Sequence, residues 1–126
     1  MIVGFGIDVV AISRIEKVLA SSHAERFLAR CFTELERAFC DAVKDRAARY
    51  AARFAAKEAA SKALGVPAGI GFLDVEVVRE AGAPALVFAG AAARAVRQLA
   101  VSRAHLTLTH DAGVAVAAVI LEALTS

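Results

Sequence analysis

The sequence predicts an α+β domain built from a small antiparallel sheet, several short helices and one long helix. Helical periodicity dominates the first half and culminates in a long helix read over Lys44 to Leu64, while period-two alternation and hairpin turns fill the second half. Helices first and antiparallel hairpins later is the order of an α+β domain rather than a doubly wound one. At 126 residues the chain suits one domain with a sizeable core, read over 1–126.

Each element carries its own signal. Gly4 to Ala11 reads as a first strand, with Val3, Phe5, Ile7 and Val9 on one face and Gly4, Gly6, Asp8 and Val10 on the other. The two glycines leave the Asp8 face open, and a strand glycine marks close approach by a ligand or another backbone. Ser13 to Leu19 and Ala24 to Arg30 read as short helices, and Thr33 followed by Glu36 is a capping box opening a third. The long helix stops at Gly65, ahead of Val66-Pro67, and the loop Gly65 to Gly71 follows. Leu73 to Val77 and Ala85 to Phe88, joined across Ala81-Gly82, read as a hairpin, and Ala91 to Ala100 as a helix. His105 to Thr109 and Val114 to Leu121 read as two strands joined across Asp111-Ala112-Gly113, the second also compatible with a buried helix.

Composition narrows the function. The chain is 59% hydrophobic without Gly/Ser-rich or Pro-rich tracts, which argues against disorder. Its longest uncharged apolar run, Ala112 to Leu121, is half of what a bilayer span needs, and the start carries Asp8 and no basic segment, so a cytoplasmic protein is expected. A net charge of +2 is far from a nucleic-acid-binding composition, although basic residues concentrate from Arg26 to Arg53, suiting an acidic partner or a phosphorylated ligand. Cys31 and Cys40 match no zinc or redox spacing and suit reduced, packed thiols.

On a helical wheel Arg46, Arg49, Tyr50, Arg53 and Lys57 fall in one stripe, either a solvated face or a charged ligand surface. Glu58 and Lys62 lie roughly 100 to 160° away, beside Ala51 and Ala55 on the core side. Their spacing allows a simple i, i+4 salt bridge. Asp8 offers another reading, because a carboxylate in an apolar strand must be paired, hydrogen-bonded or bound to a metal. Asp8 and Glu58 together supply two hard oxygens of the kind magnesium takes beside substrate phosphates, with Lys62 one turn on to reach a phosphate or leaving oxygen. His110 ends the apolar row Leu106, Leu108, as a core histidine or, with Thr109 and Asp111, part of a phosphate-binding cluster at a strand end.

Three segments resemble a known family. Gly6-Ile7-Asp8-Val9-Val10 with Arg14-Ile15 is similar to the opening motif of the holo-acyl-carrier-protein synthases. The run from Arg53 to Gly65, through Lys57-Glu58-Ala59-Ala60-Ser61-Lys62, resembles its most specific signature, and Leu106 to Asp111 its third. Order and spacing match over essentially the whole chain. Cys31 and Phe32 replace more usual aliphatic residues, and Asp111 stands where many members have Thr. The resemblance implies a small phosphopantetheinyl transferase, an α+β homotrimer with its sites between subunits. It also implies that Asp8 and Glu58 hold magnesium on the coenzyme A diphosphate, with Glu58 orienting or deprotonating the attacking serine of an acyl carrier protein. Lys62 would neutralise phosphate and assist the leaving group, and Thr109 and His110 would hold the 3′-phosphate. Arg46 and Arg53 would add positive charge, and the loop from Gly65 would border the adenine. The first helix, through Arg14, would receive the carrier protein.

Overall fold

The computed structural model describes residues 1–124. The chain runs β1 (Ile2–Ala11), α1 (Ile12–Leu19), α2 (Ala24–Cys31), α3 (Glu34–Asp41) and α4 (Arg46–Ala63). A 3-10 turn (Phe72–Asp74), β2 (Val75–Glu80), β3 (Ala83–Phe88), α5 (Gly90–Gln98), β4 (Val101–Asp111) and β5 (Val114–Ala123) follow. The α+β expectation therefore holds, in two antiparallel sheets: a three-stranded one ordered β1-β5-β4 and the hairpin β2-β3. The last apolar segment is a strand and not a helix. It is the central one, pairing β1 on one side and β4 on the other, which explains its near-continuous apolar sequence.

Local chemistry sets the element ends. Thr33 Oγ1 accepts from the Glu36 amide at 3.2 Å while Glu36 Oε1 accepts from the Thr33 amide at 2.9 Å, so the capping box is complete. The long helix begins two residues later than the sequence suggests, because Asp45 is non-helical (φ −89°, ψ 61°). At its other end Gly65 takes φ +83° and its amide reaches the Lys62 carbonyl at 3.1 Å, which ends the helix in the left-handed conformation that favours glycine. Ala81-Gly82 and Ala112-Gly113 have positive φ at both positions, the backbone of a two-residue primed hairpin turn.

The strand faces of β1 are the reverse of the expected arrangement. The Gly4, Gly6, Asp8 and Val10 face is not open: α4 lies against it. A Cβ at Gly6 would stand 1.9 Å from the Ala59 carbonyl oxygen, and one at Gly4 2.1 Å from that of Ala63. Strand glycines and helix alanines together let the two backbones meet, and Ala55, Ala56, Ala59 and Ala60 are fully buried there. The opposite face is the exposed one, with Phe5 at 62%, Ile7 at 55% and Val9 at 60% exposure. Across the sheet these residues align with Ile120, Ala118 and Val116, giving a broad apolar surface.

The basic stripe of α4 is not a solvated face either. Tyr50, Arg53 and Lys57 are buried against α3 and the first hairpin. Burial pushes the Tyr50 hydroxyl up, assisted by its hydrogen bond to Asp41 at 2.8 Å. Cys31 and Cys40 are free, buried thiols, and burial pushes Cys40 up to about 12. They are packing residues, as the spacing suggests.

Candidate functional site

The close approach of β1 and α4 brings together side chains far apart in sequence. Lys62 Nζ pairs with Asp8 Oδ1 at 3.0 Å and donates to the Ile7 carbonyl at 3.1 Å. Gly6 is the reason this is possible, since a larger residue two positions before Asp8 would hold the helix off. Lys62 remains half-exposed at the end of the helix, more open than its wheel position suggests, while Asp8 is mostly covered. The i, i+4 bridge that the sequence allows is replaced by this longer-range pair. Among the described residues Glu58 forms no ion pair.

Glu58 is half-buried and lines a cleft of about 240 Å³. Lys57, Glu58 and Ser61 form the helical wall, and Val66, Ile70, Gly71, Phe72 and Val75 the opposite one. The loop after Gly65 therefore does border a cleft beside Glu58, though exposed Gly65 itself is outside the lining. Phe72 also lines a second, larger cavity of about 410 Å³, with Phe27, Phe54, Val18 and Cys31 as its apolar floor and His23, Arg26 and Arg30 beside them. Exposed Arg14 of α1 lies next to it, its guanidinium 5.6 Å from the centre of the Phe54 ring.

Other candidate residues stand apart within one chain. Thr109 and His110 are both exposed at the far end of β4, separated from β1 by the whole width of β5. They also alternate across the strand: Thr109 shares a rung with Val116 and Val9 on the exposed apolar face, His110 one with Ala115 and Val10 on the helix face. His110 is thus not a core histidine. Arg46 pairs with Asp41 at 3.0 Å, about 18 Å along the helix axis from Glu58. Arg53 is 5% exposed, stacks 4.1 Å over the Phe39 ring and lines a third cavity with Leu35, Val77, Val78 and Arg79. Burial holds its pKa below the usual guanidinium range, and its Nε has no hydrogen-bond partner among the described residues.

Sequence reasoning missed Ser61, Phe72 and the aromatic cavity. Ser61 had a signal, standing three residues from Glu58 on the same helix face. Phe54 and Phe72, stacked with centroids 5.1 Å apart, come from segments whose meeting no local pattern announces. Among the described residues no three His, Cys, Asp or Glu side chains converge as a metal cluster. What the site offers is a carboxylate–lysine pair one helical turn from a second carboxylate, which lines a narrow cleft, a donor set for an anionic substrate and a hard cation rather than for a protein-caged metal.

The sequence and fold match a known class of enzyme. The family model of the 4′-phosphopantetheinyl transferase superfamily matches residues 4–118, and the chain belongs to this family. Within it the likeness is to the holo-[acyl-carrier-protein] synthases. One, from Anaeromyxobacter sp. (strain K), is 64% identical over 124 residues, covering 97% of each chain. Among solved structures, the Bacillus anthracis synthase in complex with CoA (3′,5′-ADP) is 38% identical with a TM-score of 0.79, covering 98% of this chain and 99% of that one. The Helicobacter pylori synthase in complex with coenzyme A is 33% identical with a TM-score of 0.80, covering 94% and 99%. The chain is accordingly an enzyme, a phosphopantetheinyl transferase of the holo-[acyl-carrier-protein] synthase type.

Proposed function

We propose that the protein moves the 4′-phosphopantetheine arm of coenzyme A onto a serine hydroxyl of an acyl carrier protein in a magnesium-dependent reaction. Fatty acid or polyketide synthesis in the cytoplasm would receive the product. The observation that carries this reading is the Asp8–Lys62 pair at 3.0 Å, one helical turn from Glu58 on the cleft wall. Coenzyme A in the two solved relatives supports the donor substrate. Among the described residues no helix is long and apolar enough to cross a membrane.

Two carboxylates in this setting fit a magnesium ion, which typically takes one or two carboxylates and completes its shell with substrate phosphates and water. Bound there, the ion would supply charge neutralisation at the diphosphate. Asp8 and Glu58 would hold it, and Asp8 would keep Lys62 aimed at the transferred group. Lys62 would offset charge that grows on the departing 3′,5′-ADP oxygen. Glu58, on the cleft wall and without an ion-pair partner among the described residues, would orient the serine hydroxyl and accept its proton. Such transfers depend mainly on positioning and on stabilising charge.

The remaining residues extend the same reading. Arg14, Arg26 and Arg30 surround an apolar cavity and suit the acidic, partly apolar helix of a carrier protein. Thr109 and His110, from a neighbouring subunit of a homotrimer, would hold the 3′-phosphate, and Arg46 and Arg53 would add positive charge. Incubation of the protein with coenzyme A, magnesium and apo-carrier should raise the carrier mass by one phosphopantetheine arm. Release of pantetheine phosphate without an adduct would mean a phosphodiesterase, and coenzyme A binding without turnover a noncatalytic binding protein. In the same assay Arg14→Glu should raise the carrier KM and weaken its salt dependence. Unchanged carrier kinetics across a salt series would remove Arg14 from the docking surface.

A further inference from the structure

Lys57 is a basic residue that the proposed chemistry leaves without a role. It immediately precedes Glu58, and it is 2% exposed. Its ammonium has three protons and three acceptors: Glu36 Oε1 at 2.8 Å, the Phe72 carbonyl at 2.9 Å and the Val75 carbonyl at 2.5 Å. Glu36, whose side chain is fully buried, is equally committed. Its Oε1 also accepts from the Thr33 amide at 2.9 Å, and its Oε2 accepts from the Val77 amide at 2.8 Å. Desolvation lowers the Lys57 pKa, and the Glu36 charge opposes that shift.

The bonds join particular parts of the cleft. Lys57 belongs to the wall that carries Glu58 and Ser61, and the two carbonyls it holds belong to Phe72 and Val75 on the facing wall. Glu36 fixes the start of α3 and the next residues of β2 to the same point. From this geometry we infer that the Lys57–Glu36 pair is a clamp setting the distance between the two walls of the coenzyme A cleft, so that Lys57 is a positioning residue for the transfer. The inference rests on the transferase reading above.

Stability alone is a poor account of such a pair. Desolvating two charges costs as much as their attraction returns, and buried ion pairs can often be replaced by apolar residues without loss of stability. Side-chain packing could also hold α3 against α4 without reaching the Phe72 and Val75 carbonyls. Only a long cationic donor satisfies both and leaves a proton for Glu36.

Lys57→Met alone strands a buried carboxylate and is expected to melt well below the parent. Glu36→Gln/Lys57→Met removes both charges together and separates folding from positioning. This double variant leaves the Phe72 and Val75 carbonyls without their donor, so it should melt below the parent but above Lys57→Met. Its KM for coenzyme A, and its calorimetric Kd for coenzyme A, should rise at least about tenfold, since small misplacements in a site are costly. A double variant that is folded at the assay temperature and keeps the parental KM and Kd overturns the clamp. Hydrogen exchange on the parent gives a test that needs no variant: the Val77 amide should exchange as slowly as the core amides of α4, and exchange at open-loop rates overturns the clamp. A parent that transfers nothing counts against the transferase reading instead, and the Val77 result then decides the clamp by itself.

Discussion

At the scale of single residues, the site is a set of charges kept apart or together by backbone geometry. Asp8 meets Lys62 because a strand and a helix share one close contact, whereas Glu58, on the cleft wall, has no ion-pair partner among the described residues. Asp8→Asn would leave Lys62 with a neutral neighbour and remove one hard oxygen. Glu58→Gln would remove the other oxygen together with the proposed base. Each should cost at least about 10²-fold in transfer, the scale of a removed acid–base or charge-stabilising group, while leaving the melting temperature nearly unchanged. Steady-state rates at ordinary magnesium check this, and full activity of either variant would refute the two-carboxylate site. Asp8, Glu58 and Lys62 were legible in the sequence because charge inside an apolar pattern needs a partner. The burial of Lys57 and Arg53 was not. They occupy the same stripe as Arg46 and Arg49, and only the position of α3 and the first hairpin decides which members of that stripe are buried.

At the scale of elements, β1 against α4 is the contact on which the site depends. The sequence shows the period of the strand and its two glycines, and it correctly marks a close approach. It cannot show which face a helix will cover, because Val3, Phe5, Ile7 and Val9 look more like a core than Gly4, Gly6 and Asp8 do. The glycine face is covered all the same, for a fully alanine-lined helix can dock only where the strand offers no side chains. Gly6→Ala places a methyl group 1.9 Å from the Ala59 carbonyl oxygen, and backbone on both sides leaves nothing soft to yield. The substitution should destabilise the fold by about 3 kcal/mol, the upper part of the range for overpacking. Because the displaced helix carries Lys62, the Asp8 pair should open as well. Thermal melts and transfer rates of Gly6→Ala check both effects, and parental values in both would show that β1 and α4 do not need this contact. Hairpin ends were read within a few residues because positive-φ turns at Ala81-Gly82 and Ala112-Gly113 carry a glycine signal.

At the scale of the whole molecule, one face of the sheet is unfinished. Phe5, Ile7 and Val9 of β1 stand exposed beside Val116, Ala118 and Ile120 of β5, a contiguous apolar surface of a kind that marks an interface. Thr109 borders the same face from β4, while Thr109 and His110 are separated from Asp8 within their own chain by the width of β5. A homotrimer closed through this surface would place the 3′-phosphate residues of one subunit near the Glu58 cleft of the next, and in a cyclic trimer all three sites would be alike. Two inactive proteins should then repair each other. Glu58→Gln keeps an intact Thr109-His110 pair, and His110→Ala keeps an intact Glu58. Under conditions that exchange subunits, equal amounts should assemble an intact site at about a quarter of interfaces, because each of two neighbours must independently be the right type. Transfer should therefore appear in the mixture at about a quarter of the parental rate and rise with the time course of exchange. If mass spectrometry shows mixed trimers while activity stays at the level of the separate variants, Glu58 and His110 do not share a site between chains. A parent protein that sediments as a monomer would remove the trimer itself, and would leave the exposed β1 face to another partner.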